Sequence, residues 1–425
     1  MSEGVALQSS CPDETRETSW PAVEYETLPW HRNPDELMGV SKTRRRKILS
    51  TYEAAIPALI ANLDVSLPME LCNRMAELSA SLARFDAQQT ARGYNLPSLL
   101  LRSESAASSQ IENLTSSVRN ITLAELSDTA PANARLIVGN LAAMRCALQL
   151  EDDLSIDGIR TIHRELINRG TCDNHGGQSV GQSFGGEVRS EQVWVGGTAY
   201  SPHGALFVPP AAERVLGYLE DLVAFSRRED VNPIAKAALT HAQFETVHPF
   251  IDGNGRTGRT ILHKMLRRDG VLEHTTLPIS AGLLHNTHAY MEAIRDYQNG
   301  RPIPIVAQFV EALELAVTLG NVVAQRLDAV VDGWRSKIDE RAGSAIHRLA
   351  DVLIEQPVVD SAYIAQSLGV TRRSATSIIE RARSYGILRP VGGRMRGGCF
   401  QADKLLEVLE EISDMHGIRR VLAGM

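Results

Sequence analysis

The sequence predicts a mainly α-helical protein with one small β-hairpin in its middle and a winged helix at its C-terminal end. Three observations carry this. Apolar residues from about position 68 to 329 recur mostly at helical spacing, as in NARLIVGNLAAMRCALQL and in residues 235–246. Alanine and leucine supply most of the apolar content and aromatics only 5%, which favours packed helices over a sandwich. Residues 170–210 interrupt the pattern. They are glycine-rich and hold one alternating stretch, Gln192-Val193-Trp194-Val195, that reads as a short strand or hairpin.

Taken in order, residues 1–40 form an extended arm. It is polar, with Trp20, Pro21, Pro29 and Trp30 among charged residues, and the tryptophans are expected to clamp it onto the domain behind. From Lys42 the pattern becomes helical, and KTRRRK reads as a solvated helix face. Residues 41–120 make an N-terminal helical region, 121–329 the central core, and 330–425 a linker helix with the winged helix. Within the last, DSAYIAQSLGVTRRSATSIIERARSYGILRP is helix, turn, helix, with Asp360 and Thr371 as N-caps and Gly369 at the turn. VGGRMRGGCFQA then reads as a glycine-hinged hairpin, the wing.

A chain of 425 residues has room for two or three domains and a sizeable core. The net charge of -7 argues against a general polyanion binder, although one part can still be basic. Cys11, Cys72, Cys146, Cys172 and Cys399 lie far apart, without a CxxC pair, which fits reduced thiols and a cytoplasmic location. The first residues lack the basic and apolar regions of a signal peptide. No apolar run is expected to be long enough to cross a bilayer.

Residues 248–259, HPFIDGNGRTGR, carry the chemistry. Pro249 disfavours helical geometry at His248, so a helix should end near Val247. Gly253 and Gly255 open backbone angles closed to other residues, and the next helix should start at about Gly255. Free N–H groups at that start form an anion nest. Arg256 and Arg259, three apart, share a face and suit a polyphosphate better than a single carboxylate. Asp252 at the edge of the nest is placed to hold a divalent cation, with magnesium the common choice beside phosphates. His248 is the nearby group whose ordinary pKa lies near neutral, and so the natural general base. No GxxxxGK[ST] loop is present.

These residues match the Fic motif HPFx[DE]GNGRxxR at every specified position, and the chain resembles that family over most of residues 40–330. The resemblance implies a helical Fic fold and transfer of AMP from ATP to a hydroxyl of a target protein. His248 would deprotonate that hydroxyl, and Asp252 would bind Mg2+. Gly253, Asn254 and Gly255 would form the anion hole, and Arg256 and Arg259 would hold the outer phosphates. The GNGR glycines separate the chain from Doc-like kinases, which lack them. GEVRSEQVWVGG resembles the family's flap, whose backbone at Val193, Trp194, Val195 and Gly196 would pair with the target as an added strand. Tyr290, in HAYMEAIRDYQNG, matches a tyrosine of the adenine pocket; helix packing is an equal role for it.

Upstream, SSQIEN places Ser108 and Glu112 four apart on one helix face. It resembles the family's inhibitory motif [ST]xxxE[GN], in its N-terminal arrangement, which implies that Glu112 reaches Arg259 and takes the place of the γ-phosphate. At the other end, Ala375, Ile378, Ile379 and Ala382 should face the core of the winged helix. Arg372, Arg373, Thr376 and Ser377 then point outward, with Arg389, Arg394 and Arg396 near the wing. That surface fits either a DNA duplex or a protein partner, and a homodimer is open. The sequence therefore reads as an autoinhibited protein adenylyltransferase. Two alternatives stand beside it: removal of AMP by the same site, and a DNA-binding regulator whose Fic domain senses nucleotide.

Overall fold

The computed structural model describes residues 20–31, 38, 40–46, 48–92, 96–127, 130–170, 184–341, 343–393 and 398–424. The arm is tied down at its first described residue. Trp20 is buried edge-on against Phe225 and Tyr297, and its Nε1–H donates to the Asp64 carbonyl at 2.9 Å. Strand β1 (Glu24–Pro29) follows, then a single helical turn, α1 (Lys42–Arg45), capped by Ser41, then β2 (Thr51–Ile56). This corrects the expectation of continuous helix from Lys42. β1 and β2 pair antiparallel from Glu24 against Ile56 to Pro29 against Thr51. Ala54 and Ala55 are fully buried under the ribbon, and Trp30 packs edge-on against both Tyr52 and Trp194.

The helical body comprises α2 (Met69–Thr90), α3 (Leu96–Ile111), α4 (Val118–Ala124), α5 (Ala132–Gln149), α6 (Ile156–Gly170), α7 (Val215–Ser226), α8 (Pro233–Val247), α9 (Asn254–Arg268), α10 (Ile279–His285), α11 (Thr287–Gln298) and α12 (Ile303–Arg335). α8 has the start its sequence dictates: Asn232 caps it by accepting from the amides of Ile234 and Ala235, with Pro233 in the first turn. It ends at Val247, as Pro249 requires. α9 begins at Asn254, one residue ahead of the expected start. Both helices are buried nearly all round, so the site between them stands on rigid elements.

α12 runs 33 residues and packs against α2, α8, α10 and α11. It corrects two sequence expectations. It is long and apolar enough to cross a membrane by length and composition, yet most of its apolar window is buried among the other helices. It also passes unbroken through the boundary expected at 329/330, so the central core and the C-terminal region share one helix.

The C-terminal region holds α13 (Ala345–Glu355), β3 (Val358–Val359), α14 (Ser361–Leu368), α15 (Arg372–Ser384), β4 (Arg389–Pro390), β5 (Phe400–Gln401), α16 (Asp403–Glu410) and α17 (Met415–Ala423). The three strands form one antiparallel sheet in the order β3-β5-β4. Asp360 accepts from the Tyr363 amide at 2.7 Å, Thr371 caps α15 through the Ser374 amide, and Gly369 ends α14 in the left-handed region. Ala375, Ile378, Ile379 and Ala382 are buried, and Arg372, Arg373, Thr376 and Ser377 are exposed. These are the features of a helix-turn-helix with a small sheet beside it. Arg394 and Arg396, expected on the wing, lie outside the described residues. The same holds for Cys11 and for residues 171–183 of the glycine-rich segment, Cys172 among them.

The expected strand at residues 192–195 is reduced to a single bridge. Val195 donates to the Phe207 carbonyl and accepts from Leu206, each at 2.8 Å, and a second bridge joins Thr198 to Ser201. Side chains hold the rest of this hairpin-like loop: Trp194 Nε1 donates to Thr198 and Gln192 Nε2 to Pro209. The loop also joins the N-terminal ribbon, because the Ala55 amide donates to the Val208 carbonyl at 3.0 Å. Val208 thus bonds β2 on one side while Phe207 bonds Val195 on the other.

Candidate active site

The turn from α8 into α9 sets the geometry. His248 adopts the left-handed conformation, φ 51° and ψ 61°, which turns the chain sharply out of α8. Its amide still donates to the Phe244 carbonyl, and its Nδ1 lies 3.3 Å from the Glu245 carbonyl. With Nδ1–H donating there, Nε2 is the unprotonated nitrogen. Burial lowers His248 to about 4, only partly offset by that backbone contact. Asn254 closes the turn with its side chain, accepting from the Phe250 amide at 2.9 Å and donating to the Phe250 carbonyl at 2.8 Å. The Asn254 side chain is thus a staple, and an anion here would meet backbone amides. Gly253 has φ 78°, and a Cβ there would also press on Leu166.

Asp252 sits at the rim. Its side chain is 67% exposed, one oxygen accepts from the Gly253 amide and the other is 3.5 Å from Arg256. Among the described residues no cluster of three His, Cys, Asp or Glu could hold a metal by itself. A lone carboxylate still suits Mg2+, which commonly takes one or two carboxylates and completes its shell with phosphate oxygens and water.

Arg256 and Arg259 are both buried on one face of α9, as their spacing dictates. Arg256 Nε and Arg259 Nη1 are buried donors without a hydrogen-bond partner among the described residues. Buried guanidinium N–H groups aimed at a helix N-terminus fit an anion with several oxygens.

One carboxylate already reaches this place. Arg259 donates from Nη2 to Glu112 at 2.9 Å, from Nε to the Ser108 hydroxyl at 2.9 Å, and from Nη2 to the Ser108 carbonyl at 2.8 Å. Glu112 also lies so close over Gly255 that a Cβ there would overlap its carboxylate. Burial acts to lower the Arg259 guanidinium, but Glu112, Tyr290 and Glu245 outweigh it and hold it above its ordinary range. The end of α3 aims the carboxylate. Leu114 donates back to Ser109 and Asn113 to Gln110, with Asn113 left-handed at φ 61°. This is a Schellman termination with Glu112 at the cap. It explains why glycine or asparagine follows the glutamate, since both tolerate that conformation.

Tyr290 is buried at 1% exposure, packs against Phe309, and its hydroxyl is 2.7 Å from His241. It lies behind Arg259, in the core. Glu245 is also close to that arginine, and burial raises it to about 7. The flap residues Val193 and Trp194 are partly buried, while Val195 and Gly196 are exposed with their backbone at the outer edge.

Two residues of the site escaped sequence reasoning. His163 is fully buried and stacked on Phe250 at 3.7 Å. Its Nδ1 accepts from the Gly186 amide, so Nε2 donates to the Asp252 carbonyl at 3.0 Å. Arg189, 3% exposed, donates to backbone carbonyls around His248. His163 lies on an amphipathic helix and Arg189 in a polar loop. Neither spacing nor composition links them to a loop some sixty or more residues away.

Residues 153–266, which run from just ahead of α6 into α9, match the Fic/DOC family. This part of the chain is similar to the domain that defines that family. Over 142 residues the chain is 34% identical to "Protein adenylyltransferase fic-1" of Caenorhabditis elegans, covering 32% of this chain and 24% of that protein. Over 162 residues it is 30% identical to "Protein adenylyltransferase Fic" of Nematostella vectensis, covering 37% of this chain and 32% of that protein. The matched segment thus spans about a quarter to a third of these relatives' length. The crystal structure of a Fic family protein from Desulfovibrio desulfuricans covers 80% of this chain and 97% of its own, with a TM-score of 0.50 and 20% identity. That likeness shows the fold.

Proposed function

We propose that this chain is an autoinhibited protein adenylyltransferase, transferring AMP from ATP to a hydroxyl of a target protein and of itself. The observation that carries the reading is the pairing of a neutral, half-buried His248 with an anion nest whose arginine is held by Glu112. The nest at the start of α9, with Arg256 and Arg259, takes the β- and γ-phosphates and leaves the α-phosphate facing His248. The target hydroxyl attacks that phosphorus in line, and its proton passes to His248 Nε2. The bond to the bridging oxygen breaks, and pyrophosphate leaves with its charge held by the arginines and amides. Asp252 would hold Mg2+, which supplies charge neutralisation of the phosphates when bound.

The flap presents the target. The segment at Val193–Val195 pairs with the Phe207 segment through Val195, and among the described residues no backbone hydrogen bond occupies its far side. A target segment adding as a strand there would bring its hydroxyl to a fixed register. Glu112 sets the resting state. A carboxylate on Arg259 competes with the γ-phosphate for the same guanidinium, so ATP binds without its productive pose.

Glu112→Gly is the test. The variant should self-label with ATP far more strongly than the parent, and equal labelling of the two would contradict the inhibitory role. We also propose that α15 binds duplex DNA through Arg372, Arg373 and Thr376. Ser377 flanks these exposed residues, whereas Arg389 is already neutralised by Asp403. The Arg394 of the sequence reading would join them from the wing.

A further inference from the structure

The flap and the catalytic loop meet through one buried cation. The last carbonyls of α8 have no partner within their helix, and the helix dipole favours positive charge there. Arg189 supplies it. Its Nε donates to the His248 carbonyl at 2.8 Å and its Nη2 to Val247 at 3.4 Å. The same guanidinium donates to Pro210 at 2.5 Å and to Glu191 at 3.2 Å, and the Arg189 amide donates to Pro249 at 2.9 Å. Its hydrogen-bond acceptors are backbone carbonyls, and burial lowers it to about 10, with the nearby Tyr52 and Glu213 offsetting part of that cost. His163 makes a parallel link from Gly186 to Asp252. The flap root, residues 186–191, is therefore fastened at two points to the loop carrying the base and the acidic rim residue.

We propose that Arg189 is the positioning residue of this site: it ties the His248 backbone to the flap root, so that docking a target strand and aligning the base are one event. The proposal rests on His248 being the base. His248 is left-handed, a conformation that a β-carbon disfavours and that the surroundings must enforce. Arg189 holds its carbonyl in that state. Beside burial, its positive charge also acts to lower the imidazole, against the Glu245 carbonyl, Glu112 and Asp252, which act to raise it.

The test uses the full chain in the Glu112→Gly background. Arg189→Ala should lower kcat for target labelling by about a hundredfold, the scale of a small misalignment, while ATP affinity changes by less than about threefold. Histidine-selective NMR should show His248 titrating closer to 6.5, and added guanidinium ion should restore part of kcat. Arg189→Lys keeps the charge without the fork and should lose an intermediate share of kcat; it decides the case if the alanine variant does not fold. A kcat within about threefold of the parent overturns the proposal. So does joint loss of kcat and ATP affinity with His248 unmoved and no rescue, which marks general damage. If the Glu112→Gly parent itself transfers no AMP, the functional reading fails separately. The His248 titration, which needs no transfer, still judges Arg189.

Discussion

At the residue scale, the proposed reaction at neutral pH turns on the imidazole of His248. Burial lowers it to about 4. A histidine lowered in the fold is neutral above that value, so the base is available at pH 7. The unfolded chain takes up its proton near 6.5 and the folded one only near 4. This group's contribution to stability is thus full above 6.5 and is lost as pH falls toward 4. For the Glu112→Gly variant, kcat/KM should stay level from pH 7 down to about 5.5 and fall on an acid limb nearer 4 than 6.5. A limb centred on 6.5 would show a solvated histidine and contradict this. The motif residues themselves were legible in the sequence because their types and spacing are dictated by local backbone: a proline fixes the helix end, glycines open the nest, and a three-residue step puts two arginines on one face. Tyr290 stayed open between nucleotide contact and packing because helical spacing gives a face but not a depth. Arg189 was invisible because its acceptors are backbone carbonyls, which every residue has.

At the scale of elements, α3 would be the arm of the proposed switch. It is buried along most of its length, with Glu104 bonded to His263 of α9 and to Ser280 of α10. Only its last turn can let go without breaking the core. Asn113→Ala puts a β-carbon into the left-handed position without the local hydrogen bonding that lets asparagine sit there, costing about 1 kcal/mol. Urea unfolding should show that loss, and self-labelling should rise as Glu112 loosens, while Asn113→Gly should leave both near the parent. If both variants match the parent in stability and labelling, the Schellman turn does not aim Glu112. Most helices were readable from periodicity and caps, as at Asp360 and Thr371. The β1-β2 ribbon was not, since its fully buried residues are two small alanines, Ala54 and Ala55, and it is held by distant contacts, Trp30 on Trp194 and Ala55 on Val208.

At the scale of the whole molecule, the C-terminal region is packed onto α3, the helix that carries Glu112 near its end. Arg102 of α3, 2% exposed, donates to Gln356 at 2.7 Å, and Gln356 donates in turn to the Thr122 carbonyl. α16 packs on α3 and α4, and α17 on α10. The sequence suggested separate regions meeting at a linker. Instead α12 is continuous and the buried core runs from Trp20 to Val421, because apolar faces on both sides of position 330 bury each other. If α15 reads DNA, the full chain should bind duplex with an affinity that falls steeply as salt rises, and Arg372→Ala with Arg373→Ala should flatten that slope by about two charges. Binding absent at low salt would assign the surface to a protein partner instead.

The central claim is that this pocket cuts ATP at the α-phosphate with His248 as base. It is tested most directly by incubating the Glu112→Gly chain with ATP labelled at either the α or the γ position and reading the label on protein. The account predicts label from the α position alone, abolished by His248→Ala in the same background. Label from the γ position, or α label that survives loss of His248, would contradict it.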